Sequence, residues 1–155
     1  MSRHYKLFLA AIVPLVLTFG TVFTGASASA EALGLARKVP VDGFGLDPNY
    51  NPSAGETDKY NVGFAVGKTM PVTLRYVKPA GVTAVKASNR HCAATHGGFV
   101  CKFKKVCSCA IVNVRVAFTY AAGLPNHHPV KQKFIFSSPG YRALVKIWTQ
   151  RIYNG

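Results

Sequence analysis

The residues best able to form covalent bonds or hold a metal are four cysteines that lie within 18 positions, namely Cys92, Cys101, Cys107 and Cys109. An even number of cysteines in a short exported chain favours disulfides. The glycine pair Gly97-Gly98 can turn a hairpin that sets the first two cysteines opposite each other. We therefore favour a Cys92–Cys101 disulfide, which would contribute about 2–3 kcal/mol through loop closure.

The pairing of the other two cysteines stays open. Cys107 and Cys109 would share one face of a strand, where a bond between them would be strained, although a loop would permit it. In the alternative, Cys101 pairs with Cys107 or Cys109 across a turn at Lys104-Lys105, and the remaining cysteine pairs with Cys92.

Two histidines, His91 and His96, lie among the cysteines and raise the question of a zinc site. Structural zinc sites usually show C-x2-C or H-x3-H spacing, which this segment lacks. Export also favours oxidation of the cysteines. The sequence therefore predicts no metal and no cofactor.

Carboxylates are too few and too clustered for most hydrolytic mechanisms. All five acidic residues precede Lys59, and only Glu56 and Asp58 lie near each other. A nucleophile-histidine relay needs a group that orients the histidine, and glycoside hydrolysis needs two placed carboxylates. We therefore predict a protein without catalytic residues, with an exported enzyme as the least favoured possibility.

The N-terminal 30 residues have the layout of a secretory signal peptide. Arg3, His4 and Lys6 precede the apolar run Leu7–Leu17, and Ala28-Ser29-Ala30 forms an A-x-A cleavage site. No later segment is apolar enough to cross a membrane. The sequence thus predicts a protein that is secreted or associated with the cell envelope, with no transmembrane segment after cleavage.

The whole chain has 155 residues and a formal net charge of +14. Its hydrophobic fraction of 49% excludes general disorder, and the length fits one domain. Residues 31–58 are rich in Pro, Gly, Asn and Asp, which predicts an irregular leader with at most an edge strand near Val39–Val41. We expect the folded domain to comprise residues 59–155.

Short β-type segments separated by turn residues fill that domain. In the segment Ala110–Tyr120, every second residue from Val112 to Tyr120, including Val114, Val116 and Phe118, is apolar and lies on one side. This two-residue period suits a strand with one buried face. About seven such segments predict an all-β, immunoglobulin-like antiparallel β-sandwich. They are Tyr60–Val66, Pro71–Val77, Val82–Ala87, Gly98–Lys104, Ala110–Tyr120, Val130–Phe136 and Arg142–Tyr153.

Residues 58–116 resemble the DUF11-type immunoglobulin-like repeat of bacterial secreted and surface proteins. The matching residues are Pro79-Ala80-Gly81-Val82-Thr83, Val85, Ala87-Ser88, Cys92, Gly97-Gly98 and Cys101. The resemblance implies a fold and a cell-surface setting, and it assigns no catalytic residues.

From Lys59 to Gly155 the chain carries 15 Lys and Arg residues and no acidic side chain. Because the domain cannot balance this charge internally, we expect binding to anionic polymers or surfaces: teichoic acid, acidic polysaccharide, anionic lipid or extracellular DNA, without a specific nucleic-acid motif. An alternative is a cationic antimicrobial or toxin-like protein that acts on anionic membranes. The candidate polyanion-binding residues are Arg75, Lys78, Lys102, Lys104, Lys105, Arg115, Lys131 and Lys133.

Overall fold

The chain forms two antiparallel β-sheets that enclose one hydrophobic core, in a computed structural model that describes residues 37–47 and 52–154. The predicted all-β sandwich is confirmed, with nine strands in place of about seven. The strands are β1 (Val41–Asp47), β2 (Thr57–Val66), β3 (Met70–Val77), β4 (Val82–Ser88), β5 (Cys92–Thr95), β6 (Gly98–Val106), β7 (Val112–Tyr120), β8 (His128–Ser137) and β9 (Leu144–Ile152).

The strand order explains the immunoglobulin-like character of the sandwich. One sheet has the order β1-β2-β7-β4 and the other β5-β6-β3-β8-β9. Without the β5–β6 hairpin, the remaining seven strands follow the A-B-E-D and C-F-G arrangement of an immunoglobulin domain. The hairpin extends the second sheet at its β3 edge and accounts for the additional strands.

Alternation along the strands determines which residues form the core. In β7, Val114, Val116, Phe118 and Tyr120 are buried, whereas Asn113 and Arg115 on the other face are exposed. Strands β3 and β8 follow the same two-residue period. Each sheet therefore presents one apolar face to the other sheet, as the sequence pattern predicts.

Aromatic rings join the two sheets. Phe64 of β2 lies 5.1 Å from Phe136 of β8, measured between ring centroids, in an edge-to-face arrangement. Phe44 of β1 contacts Phe134 and Phe136 at 5.2 and 5.7 Å. Such ring pairs favour these offset geometries, and they add to the free energy gained from burial.

A buried polar chain also crosses the core. The Tyr76 hydroxyl donates to Gln132 Oε1, Gln132 Nε2 donates to the Tyr120 hydroxyl at 3.4 Å, and Tyr120 lies 3.3 Å from the Tyr60 hydroxyl. Gln132 is fully buried, so its amide depends on these partners. Burial, and secondarily the neighbouring Tyr120, raise the pKa of the Tyr76 phenol well above its usual value.

The N-terminal boundary of the domain differs from the prediction. Strand β1 pairs antiparallel with β2 from Val41 to Asp47, so the sandwich includes part of the segment expected to be an irregular leader. The edge strand expected near Val39–Val41 is therefore longer than predicted, and most of it follows Val41 in the chain. The predicted signal peptide, residues 1–30, falls outside the described residues.

Candidate anion-binding surfaces

The structure pairs the four cysteines as Cys92–Cys101 and Cys107–Cys109. Cys92 and Cys101 are direct partners in the β5–β6 ladder, with their Cα atoms 3.9 Å apart. Cys107 and Cys109 lie in the loop after β6 and not in a strand. A loop is the conformation in which a disulfide between these two residues is expected to be possible. Among the described residues no cysteine is left with a free thiol.

The histidines do not converge on a metal site. Within residues 37–47 and 52–154, no three His, Cys, Asp or Glu side chains are grouped closely enough to hold an ion. The His91 ring instead lies 5.3 Å from the Phe103 ring, and His127 lies 4.6 Å from Tyr153. The part of the chain that the structure covers also contains no helix long and apolar enough to cross a bilayer.

Four of the eight candidate polyanion-binding residues lie on the outer face of the five-stranded sheet. They are Arg75 of β3, Lys102 of β6, and Lys131 and Lys133 of β8, and all four are exposed. The register places them on alternate positions, away from the inward-facing Leu74, Cys101 and Phe134. Together with Arg151 of β9, they form what we call the cationic face.

Aliphatic side chains separate these cations. Arg75 pairs with Val100 on one side and Ile135 on the other, while Lys133 pairs with Val77 and Ile147. Ile147 is 61% exposed, and its neighbour on the same face, Val145, is 45% exposed. The cationic face is therefore amphipathic over its β8–β9 portion.

Two further candidates, Lys104 and Lys105, lie at a β-bulge. They stand opposite Pro71, where the β3–β6 register shifts between the Met70–Val106 and Val72–Phe103 pairs. Proline has no N–H to donate to a ladder, and bulges occur where pairing fails in this way. The turn at Lys104-Lys105 that the alternative cysteine pairing requires does not form, since both residues belong to β6.

The last two candidates lie apart from the others. Lys78 follows β3, and its Nζ donates to the Thr83 carbonyl at 2.9 Å. Arg115 lies on β7, in the opposite sheet. The eight predicted residues thus do not form one continuous surface, and a single binding patch built from all of them does not exist.

Arg115 instead belongs to a groove on the outer face of the four-stranded sheet. This groove, which we call the basic groove, has a volume of about 590 Å³. Its side-chain lining consists of Lys59, Asn61, Lys86, Ser88, Arg115 and Ala117, and the backbone of Tyr60 and Val116 contributes its floor. Sequence reasoning missed Lys59, Lys86 and their polar neighbours as parts of a site. Alternation along β2 and β7 predicts that Lys59 and Arg115 face outward, but it does not indicate which strands are adjacent.

Aromatic rings that could stack on the sugars or bases of a ligand are largely buried in the core. Tyr76, Phe99 and Phe103 are buried, and the rings of Tyr76 and Phe99 stack on each other at 5.2 Å. Tyr141 and Trp148 are half-buried against the core cluster. Any ligand contact by the described surface must rest mainly on cations and aliphatic groups.

Comparison with known proteins adds nothing at the level of function. No protein-family model and no curated protein matches the chain. A DUF4466 family protein from Parabacteroides merdae is similar in structure, with 16% identity, a TM-score of 0.45, and coverage of 73% of this chain and 46% of that one. A family 123 glycoside hydrolase from Clostridium perfringens is similar over 68% of this chain and 23% of its own, with 6% identity and a TM-score of 0.41. The chain thus spans less than half of either neighbour.

Proposed function

We propose that this protein is a secreted, disulfide-stabilised, strongly cationic β-sandwich that binds anionic envelope or matrix polymers without catalysis. Teichoic acid, acidic polysaccharide and anionic lipid surfaces are the expected partners. The single observation that carries the proposal is the cationic face, in which Arg75, Lys102, Lys131 and Lys133 project from one side of the five-stranded sheet. The DUF11-type resemblance agrees with an envelope setting and stays a prediction.

The charge distribution favours a polymeric partner over a compact one at this face. Exposed cations usually solvate a surface together with acidic residues of the opposite sign. Here no strand of the five-stranded sheet contains an acidic residue, so neutralisation of the cationic face from within its own sheet is excluded. The cations of this face lie on four adjacent strands, β6, β3, β8 and β9, and match the repeated charges of a polyanion. Binding of this kind depends little on the sequence of the polymer.

The proposal is tested by the salt dependence of retention on immobilised heparin or teichoic acid. We expect the purified protein to bind at low salt and to elute as the ionic strength rises. Lys131→Gln with Lys133→Gln should reduce the slope of log affinity against log salt by about 0.7–0.9 for each cation that contacts the polymer. Lys68→Gln, in the turn between β2 and β3, removes one charge elsewhere and is the matched control for the single variant Lys133→Gln. An unchanged slope in the double variant would exclude the cationic face as the contact surface.

A second candidate function is disruption of anionic membranes, which the exposed aliphatic residues Val145 and Ile147 favour. Aliphatic side chains beside cations suit insertion into the headgroup region of an anionic bilayer. Vesicles that contain anionic lipid should then release an entrapped dye, and Val145→Thr with Ile147→Thr should abolish release while heparin binding persists. Binding to vesicles without release would instead favour the polymer-binding proposal.

A further inference from the structure

We infer that the basic groove is a binding site for a phosphate group, either free or as a monoester. The inference concerns a different sheet and a more compact ligand than the proposed polymer binding, and it does not depend on the cationic face. It rests on three cations that the fold brings together around a small residue: Lys59 of β2, Lys86 of β4 and Arg115 of β7.

The strand register fixes the spacing of the two lysines. Lys59 pairs with Ala117 across the β2–β7 ladder, and Lys86 pairs with the same Ala117 across the β4–β7 ladder. Adjacent strands lie about 4.8 Å apart, so the two lysines start about 10 Å apart with only a methyl group between them. That separation leaves room for a ligand that both flexible ammonium groups can reach.

Arg115 completes the cation set from the adjacent position on the same face. It lies two residues before Ala117 in β7, which corresponds to about 7 Å along the strand. Its partners across the two ladders are Asn61 and Ser88, which are short and polar. An arginine between short neighbours keeps its guanidinium accessible, and this group binds phosphate oxygens in a bidentate way. Asn61 and Ser88 add hydrogen-bond donors of their own.

The side chains that line the groove include three cations and, among the residues described by the structure, no carboxylate. On the outer face, the acidic residue in register with Arg115 is Asp47 of β1, which pairs with Asn61 on the side away from Arg115. Two strand spacings, about 10 Å, therefore separate the Asp47 backbone from that of Arg115. Asp58 precedes Lys59 in β2 and lies on the opposite face of the sheet.

A β-bulge in β4 places Lys86 on the outer face of the four-stranded sheet. The register shifts between the Val82–Tyr120 and Ala84–Thr119 pairs, so Thr83 is the extra residue. Without that shift, Lys86 would share the inward face of Val82, since alternate residues of a strand point the same way. The Thr83 hydroxyl donates to the Thr119 carbonyl at 3.1 Å, which holds the bulge against β7.

The size of the groove distinguishes it from a simple ion contact. A volume of about 590 Å³ corresponds to roughly twenty molecules of liquid water. A phosphate group fills only part of that space, so the groove also accommodates the remainder of a small monoester. Inorganic phosphate and glycerol phosphate share the chemistry that the cations recognise, and their relative affinities distinguish a free-phosphate site from an ester site.

The test is a titration of the full mature chain with each of these two compounds at constant ionic strength, followed by amide chemical shifts. We expect shifts centred on residues 59–61, 86–88 and 115–117. Lys86→Gln and Arg115→Gln should each weaken binding at least about tenfold, since each removes charge-assisted hydrogen bonds to the anion. Lys68→Gln changes the net charge equally and should alter the affinity by less than about twofold.

A second variant separates the shape of the groove from its charge. Ala117→Leu fills the space between Lys59 and Lys86 without changing any charge, and we expect it to reduce phosphate affinity as strongly as Arg115→Gln. If it has no effect, or if Lys68→Gln weakens binding as much as Lys86→Gln does, the site does not exist. Retention on heparin is measured on the same variants and should change little, because the cationic face is intact in all of them. Failure of the phosphate site therefore leaves the polymer-binding proposal standing, and failure of the parent protein to bind heparin overturns only the polymer-binding proposal.

Discussion

Substitution of Gly98 by alanine should be one of the most damaging single-methyl changes in the β5–β6 hairpin. Gly98 is the first residue of β6 and pairs with Val77 of β3 and Thr95 of β5. Its φ of +147° lies in a region that residues with a side chain rarely adopt. A Cβ atom at this position would lie 2.2 Å from the carbonyl oxygen of Tyr76, which belongs to the backbone of the central strand.

The magnitude follows from two contributions. A non-glycine residue held in such a backbone region costs about 1–3 kcal/mol. Relief of the contact requires β6 to move away from β3, which weakens one or two backbone hydrogen bonds at about 0.5–1.5 kcal/mol each. Gly98→Ala should therefore lower the free energy of unfolding by about 3 kcal/mol, a large part of the 5–15 kcal/mol typical of a domain.

The measurement is urea unfolding followed by tryptophan fluorescence, for which Trp148 is the single reporter. For a slope of about 1–3 kcal/mol per molar urea, the midpoint should fall by about 1–3 M. Gly97→Ala is the matched control, because a methyl group at this adjacent position would meet no other part of the protein within 4 Å. That variant should change the free energy of unfolding by less than about 1 kcal/mol.

The result that would refute this reasoning is equal stability of the two variants. If Gly98→Ala were as stable as Gly97→Ala, the close approach of β6 to the Tyr76 carbonyl would not exist in solution. The register of the hairpin, and with it the pairing of Cys92 with Cys101, would then need revision.

Three further predictions concern the core and the groove. Replacement of both Cys92 and Cys101 by alanine should lower the free energy of unfolding by about 2–3 kcal/mol, because the disulfide closes a loop with a sequence separation of nine residues. Peptide mapping of the parent protein without reduction should detect this disulfide. Because burial raises the pKa of Tyr76, the folded state keeps the phenol proton at a pH at which the unfolded state loses it. The free energy of unfolding should therefore fall above about pH 10, with a contribution from Tyr76 of up to about 1.4 kcal/mol per pH unit. Tyr76→Phe should make this fall less steep in urea unfolding measured from pH 8 to 11. The same variant should cost about 1–3 kcal/mol at pH 7 because Gln132 loses a buried partner, and no loss would contradict the polar chain. Asp47→Asn should change the phosphate affinity by less than about twofold in the titration, because exposed charges about 10 Å apart are largely screened, and a larger gain in affinity would contradict the separation of Asp47 from Arg115.

The strands that the sequence identified are those in which one face meets the core and the other meets water. In β3 and β7, the alternation of Leu74 with Arg75, and of Val116 with Arg115, reports this environment directly. The strand β9 lacks a clear period because Val145 and Ile147 are apolar although they face outward. The β-branched and aromatic composition of Arg142–Tyr153 nevertheless predicts a strand, and the ladder with β8 confirms it.

Tertiary pairing also accounts for β1. The segment VDGFGLD contains two glycines and two aspartates, which are depleted in strands, so local preference argues against it. Pairing with β2 and the contacts of Phe44 with Phe134 and Phe136 stabilise the strand nonetheless. The short β5 depends in the same way on its ladder with β6 and on the bond between Cys92 and Cys101.

Composition and the alternation along each strand are enough to establish the amount of positive charge, the absence of acidic residues after Asp58, and the outward direction of residues such as Arg75 and Arg115. The pairing of distant strands establishes which cations are neighbours. Arg115 lies near Lys59 and Lys86 because β2 and β4 flank β7 and because the bulge at Thr83 shifts the register by one residue. The physical reason is that a strand's period fixes the face of a side chain, whereas its neighbours depend on strand order and register, which long-range hydrogen bonds and core packing select.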